Sequence, residues 1–144
     1  MANTINLNRK NTYITIWLYL SLFLVFLLIF IGGLTRLTES GLSITSWELF
    51  SGILPPLNEK QWQNYFALYK QIPQYKEINL GMSMAEFKYI FWWEYIHRLL
   101  ARLAALAFVL PFIYFLVKKF FSFKQIILYS IISFLFFLQG FLGW

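Results

Sequence analysis

Residues 83–117 read SMAEFKYIFWWEYIHRLLARLAALAFVLPFIYFLV. Ser83 and Glu86 have the spacing of a capping box, in which the two side chains satisfy free amides at the start of a helix. A helix over this stretch would be about 50 Å long at 1.5 Å per residue, whereas the hydrocarbon core of a bilayer is about 30 Å thick. We therefore predict a transmembrane helix that continues to Val117 and whose first turns stand outside the lipid.

Four ionisable side chains lie within nine residues of this helix: Glu94, His97, Arg98 and Arg102. At 100° per residue they fall within less than half of the helix circumference. Ionisable residues at membrane depth are costly and usually mark a functional interior. Imidazole is an axial ligand of haem iron, and the guanidinium fork of arginine matches carboxylates. This helix face therefore suits a ligand that is both a metal and an anion, such as a haem with its propionates.

The same residues have simpler interpretations. Glu94 and Arg98 are four residues apart and could form an intrahelical ion pair. His97 is the single histidine of the chain, and it could be an interfacial hydrogen-bonding residue. Gly32 and Gly33 could form a small-residue helix contact, or mark a point where a flat macrocycle approaches the backbone. The flanking arginines favour a cofactor, but spacing alone does not identify it.

The composition is that of a membrane protein, with 60% hydrophobic and 12% charged residues. The chain has 144 residues, enough for one domain, and it contains no cysteine, which excludes disulfides and thiolate metal sites. The net charge of +6 comes from basic residues at helix ends rather than from a basic patch. This pattern indicates membrane topology, and we expect no nucleic-acid binding.

We predict an all-α membrane protein with three transmembrane helices, at about residues 14–35, 90–117 and 125–144. Basic residues before the first span and between the second and third predict that the N-terminus is cytoplasmic. The loop at about 36–89 would then lie outside, where aromatic residues at helical spacing after Asn58 predict a short interfacial helix. Trp92, Trp93 and Tyr95 are expected to form an interfacial aromatic belt. No polar residue follows the third span, which is the pattern of a truncated polypeptide.

Several motifs together resemble the haem A synthase family of bacterial and mitochondrial inner membranes. They are GGLTRLTESGLS at residues 32–43, EYIHR at residues 94–98 and QGFLGW at residues 139–144. The cysteine-free loop is similar to the alphaproteobacterial and mitochondrial branch. The resemblance implies eight transmembrane helices in two four-helix halves, each half with a histidine pair for haem. The chain would form the incomplete N-terminal half, a truncated haem-binding unit over residues 1–144.

The resemblance also implies an oxidoreductase that converts a methyl group of haem O to a formyl group, giving haem A for terminal oxidases. His97 would then be an axial ligand of the haem iron, and Glu94 would be the acidic residue near the reacting methyl. Arg98 and Arg102 would bind propionates. The implied cofactor is haem b and the substrate is haem O. The implied partners are the lipid bilayer, haem O synthase, an electron donor and a second copy of the chain.

Two other functions remain open from the sequence. A non-catalytic b-type haem module for electron transfer would use the same histidine and arginines but would not need Glu94. A cofactor-free membrane assembly protein would use the Glu94–Arg98 pair only to neutralise charge. The 144-residue chain supplies one imidazole where the family uses a pair, so we expect it to bind haem poorly by itself and to show no turnover.

The predicted topology can be tested with one cysteine, since the chain has none of its own. We expect Asn64→Cys to react with a membrane-impermeant maleimide added from the outer side of the membrane, because the charge pattern places the loop at 36–89 there. Labelling only after the cytoplasmic side is opened would reverse the orientation.

Overall fold

The structure is a computed structural model that describes residues 2–45 and 54–143. Over these ranges the chain is helical and has no strand, so the predicted all-α class is confirmed. The helices are α1 Ala2–Leu37, α2 Glu59–Tyr69, α3 Pro73–Glu77, α4 Met84–Val117 and α5 Phe123–Leu142. The last residue of the predicted third span, at position 144, and part of the predicted outside loop, at 46–53, lie outside the described residues.

Three of these helices are long and apolar enough to cross a membrane. The stretches that meet this condition are Arg9–Leu37, Met84–Val117 and Phe123–Leu142. Many large apolar side chains along them are exposed in the isolated chain, as expected where lipid is the solvent. The chain is therefore a multi-pass membrane protein with three spans in its described part.

The two later spans begin at capping boxes. At the start of α4, the amide and hydroxyl of Ser83 both donate to the Glu86 carboxylate at 2.7 Å, and the Glu86 amide donates back to Ser83 Oγ at 3.3 Å. This confirms the capping box predicted from the sequence. A second box, between Ser122 and Gln125, starts α5 at Phe123. The third span therefore begins two residues before the predicted position, residue 125.

The chain divides into two compact units, each with its own core. The first unit contains the residues up to Leu28 and those from Leu100 onward, so it holds parts of α1 and α4 together with α5. The second unit is Ile29–Leu99, which holds the end of α1, the segment between the first two spans and the start of α4. The two units are described separately below.

The first unit is organised around Trp17 on α1, which is 4% exposed. Its ring lies 4.9 Å from that of Phe108 and 5.3 Å from that of Tyr129, between centroids. The indole Nε1 donates a hydrogen bond to the carbonyl of Ala107 at 3.1 Å. That carbonyl lies four residues before Pro111, which lies inside α4 and has no N–H to offer it. Trp17 therefore supplies the donor that proline removes, and α4 continues through residue 111.

The second unit is organised around aromatic residues of α2 and α4. The α2 helix begins at Glu59 and is capped by Asn58, whose side chain accepts from the Gln61 amide at 2.9 Å. Its buried aromatic face packs on the first turns of α4. The members of this aromatic core are Trp62, Phe66, Tyr69, Phe87, Phe91 and Tyr95. The short helix predicted from the sequence is confirmed as α2, and it packs against the first turns of α4.

One residue of this unit differs from the sequence prediction. Tyr95, predicted to belong to an interfacial aromatic belt, is 8% exposed and stacks on Phe91 inside the aromatic core. Trp92, by contrast, is 41% exposed. Pro73 begins the short helix α3. Proline is favoured at the first position of a helix, because its missing amide has no helical partner there.

The turn after α1 has an unusual backbone. Glu39 has φ +53° and Leu42 has φ +71°, a region that non-glycine residues rarely adopt. The Ser40 amide donates to the Thr35 carbonyl at 2.9 Å, which closes the end of α1 as in a Schellman motif. The chain then reverses and buries Ser43, which is fully inaccessible to solvent.

Candidate functional site

Glu94 of α4 is a buried carboxylate with hydrogen bonds to both oxygens. Its Oε2 accepts from the Ser43 hydroxyl at 2.6 Å and from the Ile44 amide at 2.9 Å. Its Oε1 accepts from Arg98 Nε at 2.9 Å and from Arg98 Nη2. Arg98 Nη2 also donates to the Ile44 carbonyl at 3.1 Å. The turn after α1 and two consecutive helical turns of α4 are thus joined through one acid.

These hydrogen bonds lower the free-energy cost of burying the charge of Glu94. Glu94 is 5% exposed, and a carboxylate removed from water is strongly destabilising unless it is paired and hydrogen-bonded. The ion pair with Arg98 is the intrahelical pair that the sequence left open. Ser43 and Ile44 were not identified as its partners from the sequence. The only available signal was the polar motif at residues 32–43, which has no periodic relation to α4.

His97 packs against a glycine of α1. The imidazole is half-buried, and a β-carbon built on Gly32 would lie 2.9 Å from its Nε2 atom. Carbon atoms do not approach that closely, so a larger residue at position 32 would displace the ring. The same construction at Gly33 meets no atom within 4 Å. Of the glycine pair in the motif, only Gly32 provides space for the histidine.

Arg102 belongs to the first unit and is considered by itself. Its Nη1 atom is buried and has no hydrogen-bond partner among the described residues. Buried donors in native proteins are almost always satisfied, so an unpaired guanidinium nitrogen calls for an acceptor. A carboxylate or another anionic oxygen would satisfy it, because arginine donates most strongly to such groups.

Residues 2–45 and 54–143 contain no cluster of three or more His, Cys, Asp or Glu side chains that could hold a metal ion. A metal bound by His97 would therefore take its other ligands from a prosthetic group or from outside these ranges. Cavities of about 550 Å³ and 280 Å³ lie elsewhere in the second unit, and neither is lined by Glu94 or His97.

Comparison with known proteins identifies the family. The family model COX15-CtaA, described as cytochrome oxidase assembly protein, matches residues 15–144. The chain belongs to this family. The match includes α4 and the buried acid, the histidine and both arginines on it. The resemblance found in the sequence motifs is therefore confirmed.

Curated relatives of this COX15-CtaA family member are named heme A synthase. The protein of Pelagibacter ubique is 51% identical over 97% of this chain, and that of Nitrosospira multiformis is 52% identical over 91%. The protein of Rickettsia felis is 47% identical over 94%. This chain spans 42%, 37% and 40% of the lengths of those three relatives. No solved structure matches the chain.

The contact between Gly32 and His97 yields a test within this COX15-CtaA member. Because the chain has a single histidine, isotope-labelled histidine gives one set of imidazole signals in an NMR spectrum. We expect Gly32→Ala to shift these signals, since the added methyl would occupy the position next to Nε2. Gly33→Ala is the matched control and should leave them in place. Equal shifts in both variants would contradict the contact.

Proposed function

We propose that this chain contributes one haem-binding half of a haem A synthase, in which a methyl group of haem O is oxidised to a formyl group. The observation that carries the proposal is a buried carboxylate, Glu94, one helical turn before the only imidazole, His97. Support also comes from relatives named heme A synthase that are about half identical over most of the chain. Both residues would then act on one bound haem.

The described residues fit a haem in two respects. His97 offers an imidazole, the usual axial ligand of haem iron. Its ring packs against Gly32 rather than against a bulky residue. Arg102 offers a buried guanidinium nitrogen that lacks an acceptor, and a propionate would provide one. Haem b, when bound, would supply one-electron redox chemistry. The chain's own part is to bind the haems and to orient the reacting substituent.

Glu94 is proposed as the acidic residue nearest the reacting methyl of haem O. Oxidation of a methyl group removes electrons from its carbon, and a fixed carboxylate stabilises positive charge that develops there. A carboxylate could alternatively accept a proton from the substrate. Either effect is larger in a site that excludes water, and Glu94 has almost no solvent exposure.

The cellular setting proposed for this function is the cell inner membrane, with a cytoplasmic N-terminus. Basic residues precede the first span and separate the second from the third, which supports this orientation. Haem O synthase, which would deliver haem O, and an electron donor are the proposed functional partners. A second copy of the chain is also proposed as a partner.

One observation favours a different function. The Glu94–Arg98 ion pair is complete within the chain, as expected for a cofactor-free assembly protein in which the pair only neutralises charge. Such a protein would leave the buried nitrogen of Arg102 unpaired. A b-type electron-transfer module would satisfy Arg102 with a propionate but would not require Glu94. Haem content and turnover in variants therefore separate the three functions.

The two arginines are expected to differ when each is replaced by leucine. Arg102→Leu should lower haem retention by about 1.5–3 kcal/mol in binding free energy, because a propionate would lose a charge-assisted partner. Arg98→Leu should lower haem retention and also leave Glu94 without its cation, which loosens the turn at residues 43–44. Haem content of the purified protein and hydrogen exchange of that turn are the measurements. Full haem content with lost turnover in Arg102→Leu would contradict propionate binding.

The proposed roles of Glu94 and His97 can be separated in the protein expressed from its complete reading frame. We expect Glu94→Gln to retain haem but to suppress conversion of haem O at least about 100-fold, since the amide keeps the size and removes the charge. His97→Ala should change the optical spectrum of the reduced haem, because an axial ligand is lost. Exposed Glu59→Gln is the matched charge control and should convert haem O normally. Normal turnover in Glu94→Gln would contradict a catalytic role of the carboxylate, whereas haem binding without any conversion of haem O in the unaltered protein would favour the electron-transfer function.

A further inference from the structure

The turn at residues 38–45 makes a contact that the proposed function does not by itself explain. Ser43 is fully buried, and its hydroxyl lies 2.6 Å from Glu94 Oε2. The Ile90 carbonyl lies 3.4 Å from the same hydroxyl. A hydroxyl has one proton to donate, and the shorter bond to a charged acceptor is the stronger one. The serine proton therefore points to the carboxylate.

The carboxylate of Glu94 receives four hydrogen bonds from described residues. Two reach Oε2, from the Ser43 hydroxyl and the Ile44 amide, and two reach Oε1, both from Arg98. An ionised carboxylate has about four lone-pair positions that can accept hydrogen bonds. All of them are used, so this group has no remaining site for a proton from a substrate unless one of the donors leaves.

The backbone of the turn is shaped to deliver these donors. Leu42, immediately before Ser43, has a positive φ although it is not a glycine and its side chain is 60% exposed. Such a conformation is unfavourable by itself and persists only where the surroundings enforce it. The bonds from Ser43 and Ile44 to Glu94, and from Arg98 back to Ile44, are the interactions that enforce it here.

We propose that Ser43 is a positioning residue, which together with the Ile44 amide and Arg98 holds Glu94 as a fixed, ionised charge beside the substrate. This inference rests on the proposed function and decides between the two roles left open for Glu94. With every lone pair occupied, Glu94 acts through its charge and its orientation, and it does not take up a proton. Ser43 contributes the one side-chain donor of the set that can be removed while the buried carboxylate keeps its cation, Arg98.

The test compares three serine variants in the protein expressed from its complete reading frame. Ser43→Ala removes the donor, and Ser43→Thr keeps a hydroxyl at the same place. Ser40→Ala is the matched control, because Ser40 is equally buried in the same turn and bonds to Thr38. We expect Ser43→Ala to lower the rate of haem O conversion on the order of 10-fold with haem content unchanged. Ser43→Thr should recover most of that loss, and Ser40→Ala should convert haem O at the normal rate.

Whether Ser43→Ala lowers or raises the rate of haem O conversion distinguishes a fixed charge from a general base at Glu94. A carboxylate that had to accept a proton would gain a free lone pair in Ser43→Ala, and the conversion rate would stay the same or rise. That result would overturn the proposal. The loss should also disappear when Ser43→Ala is added to Glu94→Gln, because two residues that act as one unit are not additive. A further full loss in the double variant would show that Ser43 acts through something else.

A measurement without turnover keeps this inference distinct from the proposed function. Hydrogen exchange of the Ile44 amide reports the bond to Glu94 directly. We expect Ser43→Ala and Glu94→Ala to speed its exchange, and Ser40→Ala to leave it slow. Fast exchange in the unaltered protein would overturn the positioning role. Slow exchange together with normal turnover in Glu94→Gln would leave the positioning of the carboxylate intact and would refute its function in haem O oxidation.

Discussion

The structure of the second unit depends on a negative charge that has no access to water. The Glu94 carboxylate can stay ionised only if strong donors surround it, and one arginine on its own helix supplies half of them. The other half must come from a different part of the chain. This requirement accounts for the unfavourable backbone conformation of Leu42 and for the burial of Ser43 in the turn after α1.

Aromatic packing keeps the surroundings of this acid dry. The ring of Trp62 on α2 lies 4.8 Å from that of Phe91, and Phe66 stacks on Phe87 at 4.9 Å between centroids. Ile44, which donates its amide to Glu94, belongs to the same hydrophobic core. Electrostatic interactions strengthen when water is excluded, so the same packing that anchors α2 also increases the effect of the buried charge.

Local signals in the sequence predicted a large share of the fold. The spans follow from apolar length, and the starts of α2 and α4 follow from side chains that cap their own helices three residues away. Tyr95 was misassigned because a tyrosine suits both a lipid interface and an aromatic core, and only the position of α2 decides between them. The partners of Glu94 on the turn after α1 are about fifty residues distant. No spacing rule relates residues that far apart.

The bond from Trp17 to the Ala107 carbonyl has a consequence for how two of the spans pair. A membrane helix with a proline inside it carries one carbonyl that its own backbone cannot satisfy, and lipid offers no substitute. In this chain the substitute comes from the first span, whose indole N–H donates to that carbonyl. Without this contact, α4 would expose a free carbonyl and α1 a free indole N–H to lipid. The hydrogen bond therefore favours the pairing of α1 with α4 in the first unit over contact of either surface with lipid.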